Sequence, residues 1–577
     1  MRTVFLATAA LFASQFLFAQ ALPSDTDRLI ATGKLWVAVK YFHPYLAYRD
    51  IDWDKALVDA LPNIRAAKTS AEYAAAVDSM LGVVKVPGVH DSAPQRAWIH
   101  YGLAPTQGAN PANFYSGFLI KAGSETAVVP MGGFTVSVPL TEPLPPTNAP
   151  PSPPLDRAYA ETPYPSTELR ILALYKIWGV IHYFFAYRDL MDEDWDELLP
   201  TFIPKFIDAK DARAYNLAIC ELLIHAADAN TAATSPTLTE YFGQSPPGLR
   251  LRLVEKQAVI TEVLDPAATA AGIRVGDVVK SVDGETLVDR FKRESQYISA
   301  STVPGLGSTV LQTILNGPEG STAQLAIEDR AGQRKPASLK RSASYRAQLI
   351  PQRTGDAVKL LSGDVGYADL DRLPPAEVDA MFEKFRSAKA IIFDGRGSAA
   401  PAASAIASRL AAEQDVAAAI VTGPLTLFPD LPQPGIATNT ASYFSVQTLP
   451  GSGQPKFTGK TVMLIDERTT GEAEHAGLLL EVANKTSFIG IPTAGADSNT
   501  SNVVVPGGVL ISFSGQDIRH ANGGKLQRLG IQPNVSAAPT LTGIRAGKDE
   551  TLEKAIEIVS PPAAKRLMAQ VTNNRQR

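Results

Sequence analysis

The clearest pattern of apolar and polar positions runs from 461 to 495. Thr461 to Ile465 is short, apolar and β-favouring, the signature of a buried strand. A polar turn follows, Asp466 to Glu472. Then Ala473, Ala476, Gly477, Leu479, Leu480 and Ala483 recur at helical spacing and make one apolar face, and Ser487 to Ile491 predicts a second strand. Strand, turn, helix and strand form the crossover of a parallel sheet. In such sheets chemistry sits where a strand's carboxyl end meets a helix N-terminus, which here is Arg468 to His475. Continuous apolar runs near 363–370 and 389–394, with a helical pattern over 402–413, extend the same sheet and predict helices on both its faces.

Two stretches of helical periodicity, 28–85 and 169–227, repeat each other. Trp36 and Trp178 stand 142 residues apart (178 − 36), and the same offset relates Tyr41 to Tyr183, Trp53 to Trp195 and Tyr73 to Tyr215. Rare residues matched at one spacing indicate a duplicated helical unit. Its aromatics read as core packing and helix staples. His43, replaced by Phe185 in the second copy, reads as structural. Between the copies, 97–140 alternates in short runs such as Phe134 to Pro139 and predicts a small β-element. Glu142 to Pro165 is rich in proline and poor in apolar residues, which predicts an extended, semi-rigid linker.

At 577 residues the chain is long for one core, so several domains are expected. A hydrophobic content of 45% and a charged content of 19% are those of a globular protein, not a disordered one. The formal net charge of −4 argues against a nucleic-acid footprint. Met1-Arg2, an apolar run from Val4 to Phe18 and Ala19-Gln20-Ala21 read as a signal peptide over 1–21, so the mature protein is expected to be exported, periplasmic or extracellular. No later run is long enough to predict an integral membrane segment. The single cysteine, Cys220, excludes an intrachain disulfide. Neither a metal cluster nor a phosphate-cradling glycine loop is present, so no metal or cofactor is expected.

The motifs resemble the tail-specific, or C-terminal processing, serine proteases, of the superfamily that includes the tricorn protease core. In that family a strand ending in Asp leads to T/A-x-S-x-x-E, whose Ser is the nucleophile; Glu474 fits the Glu, which places Gly471 at the nucleophile position. A D-x-H-T/S pattern supplies the general base in tricorn-like members. Asp228 and Thr231 match it, and Asn230 stands at the base position, where it cannot take a proton at neutral pH. His225 lies five residues too early to face the same way. Thr493-Ala494-Gly495-Ala496 fits T-x-G-K-G with Ala496 at the dyad lysine position. Gln527 is the nearest counterpart of an assisting Glu. The strand motifs Gly363–Leu370, Lys389–Gly397 and Leu529–Val535 also match. After Arg396-Gly397, where the family continues N-P-G-G and one glycine amide serves the oxyanion hole, this chain reads Ser398-Ala399-Ala400-Pro401, and proline has no amide hydrogen.

Residues 244–345 resemble a PDZ domain. Gly248, Leu249, Arg250 and Leu251 occupy its carboxylate-binding loop, and Ala270–Gly284 carries its A-G-I-x-x-G-D run. Such domains add an extended peptide to a sheet edge.

The expected architecture is multidomain α/β: a first helical repeat with a small β-element (22–141), a linker (142–165), a second helical repeat (166–243), the PDZ domain, a mainly parallel protease-like α/β core (346–560) and a tail (561–577). The expected function is binding of extended peptides or protein C-termini with impaired catalysis. One alternative is an active serine-type peptidase using another nucleophile such as Thr470, with His475 or His520 as base. The other is a structural adaptor that docks a partner on the duplicated helices.

Overall fold

The computed structural model describes residues 22–47, 50–84, 95–100, 115–121, 126–140, 142–143, 156–349, 353–361, 364–426, 429 and 442–560. The signal-peptide reading, most of the proline-rich stretch and the C-terminal tail lie outside them. The described chain is mixed α/β, with several separate sheets.

The first unit opens with helices α1 (Asp25–Phe42), α2 (Trp53–Ala66) and α3 (Ser70–Leu81). Ser24, Asp52 and Thr69 cap them, each side chain accepting an amide of the first turn. Strands β1 (Gln95–His100), β2 (Tyr115–Lys121), β3 (Thr126–Pro130), β4 (Thr135–Pro139) and β5 (Glu142–Pro143) follow. β1, β2 and β5 make one small sheet, and β3 and β4 make a hairpin. The second unit contains α4 (Thr167–Phe184), α5 (Leu198–Asp208) and α6 (Ala212–Leu223).

Repetition in sequence is repetition of hydrogen bonds. Arg28 donates to the carbonyls of Pro23, Ile64 and Arg65; Arg170 donates to those of Pro165, Phe206 and Ile207, each 142 residues on. The Trp53 indole donates to the Trp36 carbonyl at 3.0 Å, as Trp195 does to Trp178. His43 is buried, accepts from the Tyr45 amide and packs on the Tyr45 ring, as a structural residue would.

The 156–165 end of the expected linker is docked rather than extended. Asp156 accepts from Lys40 at 2.8 Å and Lys176 at 3.0 Å, and Tyr164 donates to the Ala209 carbonyl. Burial alone would favour a neutral Asp156, but the two lysines hold its carboxyl well below the usual range. A lone acid among prolines gives no sign of this in the sequence, because both lysines come from distant helices.

After α6 the chain passes Asp228 to Thr231 and enters β6 (Ala232–Thr234). The next sheet contains β7 (Leu249–Val254), β8 (Gln257–Val263), β9 (Val278–Val282), β10 (Glu285–Thr286), β11 (Thr322–Glu328) and β12 (Arg334–Lys340), with β7 and β12 at its edges. The helix Val303–Thr313 packs along β7.

Then come β13 (Val358–Leu361), β14 (Val365–Asp369), β15 (Ala390–Asp394), β16 (Ala417–Pro424), β17 (Ser442–Thr448), β18 (Lys460–Ile465), β19 (Ser487–Gly490), β20 (Ser498–Val505), β21 (Val509–His520) and β22 (Val535–Ser536). The order β13-β14-β15-β18-β19-β22 is parallel apart from its first pair. Its central strands are buried, apart from Lys460 at the start of β18, and read as apolar runs for that reason. A second, antiparallel sheet, β17-β16-β21-β20, adds to the expected parallel one, and β6 of the second helical unit pairs with β21. That pairing carries residues 228–231 into the core.

Candidate active site

Between β18 and the helix Glu472–Asn484, the chain turns sharply at Gly471, with φ +54° and ψ −121°. A side chain there would meet nothing within 4 Å, so the turn opens onto free space. The bend is held from both flanks. Thr469 donates its hydroxyl to the Gly395 carbonyl at 2.9 Å, the Thr470 amide donates to the Gly397 carbonyl at 3.2 Å, and the Ala494 amide donates to the Thr469 carbonyl at 2.9 Å. This backbone suits glycine and would strain any other residue. The expected nucleophile position thus lies at an exposed, sharply bent turn.

One helical turn on, Glu474 is fully buried and accepts from the amides of Gly495 at 2.8 Å and Ala496 at 2.9 Å and from the Thr493 hydroxyl. Burial pushes its carboxyl up to about 7, against the pull of those hydrogen bonds. Glu474 thus fixes the 493–496 loop beside the bend. Asn230 meets that loop: its amide donates to the Ala496 carbonyl at 3.0 Å and to the Ser514 hydroxyl at 3.2 Å. The expected base position and dyad-lysine position are therefore in contact, and neither carries a base.

Behind Asn230, Asp228 accepts from Thr231, Ser514 and Gln527 at 2.7–3.1 Å, with its carboxyl raised by burial. Gln527 joins this network instead of standing apart from it. The 398–401 stretch, expected on the oxyanion side, has two of its amides engaged. The Ala399 amide donates to Asp371 and the Ala400 amide to Glu472, so both are engaged by carboxylates, and Pro401 offers none. Asp394 and Arg396 form a buried ion pair with Asp549 and Arg353, as a structural pair would.

His475 does more than pack on its helix. Its Nδ1 lies 3.1 Å from an Asp497 carboxylate oxygen, and about a quarter of the side chain is exposed. Burial works against the imidazolium, yet the Asp497 hydrogen bond and charge outweigh it and raise the His475 pKa. Asp497 was not legible as its partner; the only signal was its place just after Ala496. His225 and His520 pair elsewhere. His225 pairs with Glu193 and packs on Phe202, and His520 pairs with Glu481.

The expected peptide-binding residues lead toward the same place. Gly248 has φ +69°. Leu249 is buried, Leu251 is half-buried, and Arg250 pairs with Glu262 and donates to the Leu349 carbonyl. β7 is an edge strand. Leu253 on it is 44% exposed and packs at Gly307 of a helix whose first residue, Val303, is 83% exposed. The N-terminal end of that helix abuts the site loop: Thr302 donates to the Ala494 carbonyl at 3.2 Å. From the other side of β7, Arg252 reaches Asp466 and Glu467 at 2.8 Å, at the foot of the Gly471 turn.

Among solved structures, mature CPAF is similar to this chain: 13% identity, 71% of this chain and 98% of that one covered, TM-score 0.52. Mature CPAF complexed with lactacystin matches likewise, at 12% identity, 71% and 99% coverage and TM-score 0.51. The photosystem II D1 C-terminal processing protease is a looser match, at 17% identity, 66% and 98% coverage and TM-score 0.40, and nothing below rests on it. No protein-family model matches the chain. No curated protein matches it in sequence. What is shared with CPAF is the fold, a peptidase-type α/β fold. No described helix is long and apolar enough to cross a membrane.

Proposed function

We propose that this chain is an exported homologue of tail-specific serine peptidases that binds extended peptides or protein C-termini and does not cleave them. One observation carries the reading: Gly471 faces open space at the sharp turn and carries no side-chain oxygen. Nucleophilic catalysis needs an activated oxygen or sulfur beside a base, and Asn230 at the base position is committed to the Ala496 carbonyl. Binding needs less. The edge strand β7 would supply main-chain hydrogen bonds, and the exposed Leu253 and Val303 would supply side-chain contact.

A second reading has one observation in its favour. His475 is oriented by Asp497 as a general base would be, one turn from Thr470, and a threonine hydroxyl could be its partner. Both readings are tested with a library of peptides bearing free or amidated C-termini. The first predicts saturable binding that Leu253→Asp weakens by about tenfold or more, with every bound peptide recovered whole. Turnover by the natural chain that vanishes in Thr470→Ala would transfer the case to the second.

A further inference from the structure

The two helical units are related by more than repetition. Across the seam between α1 and α4, equivalent positions meet each other. A side chain at Gly33 would run into Tyr175, its own counterpart 142 residues on. A side chain at Gly179 would run into Val37, again its counterpart. One helical turn further along, Tyr41 packs edge-on to Tyr183, with ring centroids 6.0 Å apart. Ion pairs are exchanged in the same manner: Lys34 of the first unit pairs with Asp196 of the second at 3.5 Å, and Lys176 with Asp54 at 2.7 Å. A contact of i with j′ accompanied by j with i′ is the signature of a two-fold interface between identical subunits.

The correspondence extends beyond the helices. The hairpin of β3 and β4 turns through Gly132-Gly133, and the hairpin of β20 and β21 turns through Gly507-Gly508. Alternate residues are buried on each hairpin: Ala127, Val129 and Met131 on the first, Ser501, Val503 and Val505 on the second. Each lies on its unit at the same place. Gly132 abuts Pro23 and Gly507 abuts Pro165, 142 residues on. Tyr73 packs on Phe134 at the tip of one hairpin, and its counterpart Tyr215 donates to the Pro506 carbonyl at the tip of the other.

We propose that residues 22–143 are a trimmed second copy of the chain, retaining the helical unit and this hairpin, and that they act as a partner subunit carried in the same chain. The face of α4 on which a second copy would sit is filled by α1. Steric fit marks the seam as fixed: each unit supplies one glycine and one large side chain, Gly33 against Tyr175 and Gly179 against Val37.

The test uses the full chain with a protease site placed within 144–155, cut after folding. The two pieces are expected to stay paired through gel filtration, with half-dissociation in the micromolar range or tighter. Gly179→Val is expected to weaken the pairing about tenfold by overfilling the seam. Val37→Gly/Gly179→Val is expected to restore it, because a two-fold seam does not care which helix supplies the larger side chain. Pieces that separate on cutting would overturn the proposal. So would a double variant no better than Gly179→Val, or an intact chain whose self-association is abolished by Gly179→Val, which would put a second chain on the seam.

Discussion

At Gly471 the absence of a side chain and the shape of the backbone come apart. The backbone there takes φ +54° and ψ −121°, with open space in front, although no side chain uses that space. Gly471→Ser is expected to fold and to lose about 1–3 kcal/mol through backbone strain, read as a lowered urea midpoint. It should remain unreactive toward a fluorophosphonate, because Asn230 cannot accept the proton. Gly471→Ser/Asn230→His is expected to label. Glu474 gives a pH signature. With its carboxyl pushed up to about 7 from an ordinary 4.5, the folded chain binds more protons than the unfolded chain between those values. Stability therefore falls as pH rises through that window, by about 3 kcal/mol in all. Denaturation between pH 4.5 and 7.5 checks this, and Glu474→Gln, less stable at the acid end, should show a flatter slope. The contact of Asn230 with Ala496 joins two positions that the sequence singled out by their fixed offsets inside local motifs. Asp497 was not legible in this way, because its pairing with His475 is made across two elements.

Elements built from local pattern were the most legible. The strand of Thr461 to Ile465, the helix after it and the strand at Ser487 stand where their apolar spacing places them, because a buried parallel strand and a one-faced helix each leave an unambiguous period. The antiparallel sheet of β16, β17, β20 and β21 was legible only as one hairpin. Its strands mix exposed and buried positions, with Phe444 73% exposed on the edge strand β17, and they pair over long separations. Arg252 gives β7 a role that strand periodicity alone would not suggest. By pairing with Asp466 and Glu467 it ties the expected peptide-binding edge to the turn at Gly471.

For the whole molecule, the duplicated unit and the docked end of the proline-rich stretch act together. Asp156 lies between Lys40 of one unit and Lys176 of the other, and Lys176 is completely buried. Asp156→Ala leaves Lys176 with Asp54 alone and is expected to cost about 3 kcal/mol, measured by urea denaturation against an Asp50→Ala control. The repeat was legible from its tryptophans. The two-fold relation was not, because it depends on which faces of α1 and α4 meet.

The most direct measurement follows a single bound peptide. The natural chain is incubated at saturation with a peptide whose binding Leu253→Asp weakens, and the peptide is then read by mass spectrometry. The peptide should be recovered intact, with the natural chain and Thr470→Ala indistinguishable. A cleaved peptide whose production disappears in Thr470→Ala or His475→Ala would contradict the silent turn at Gly471.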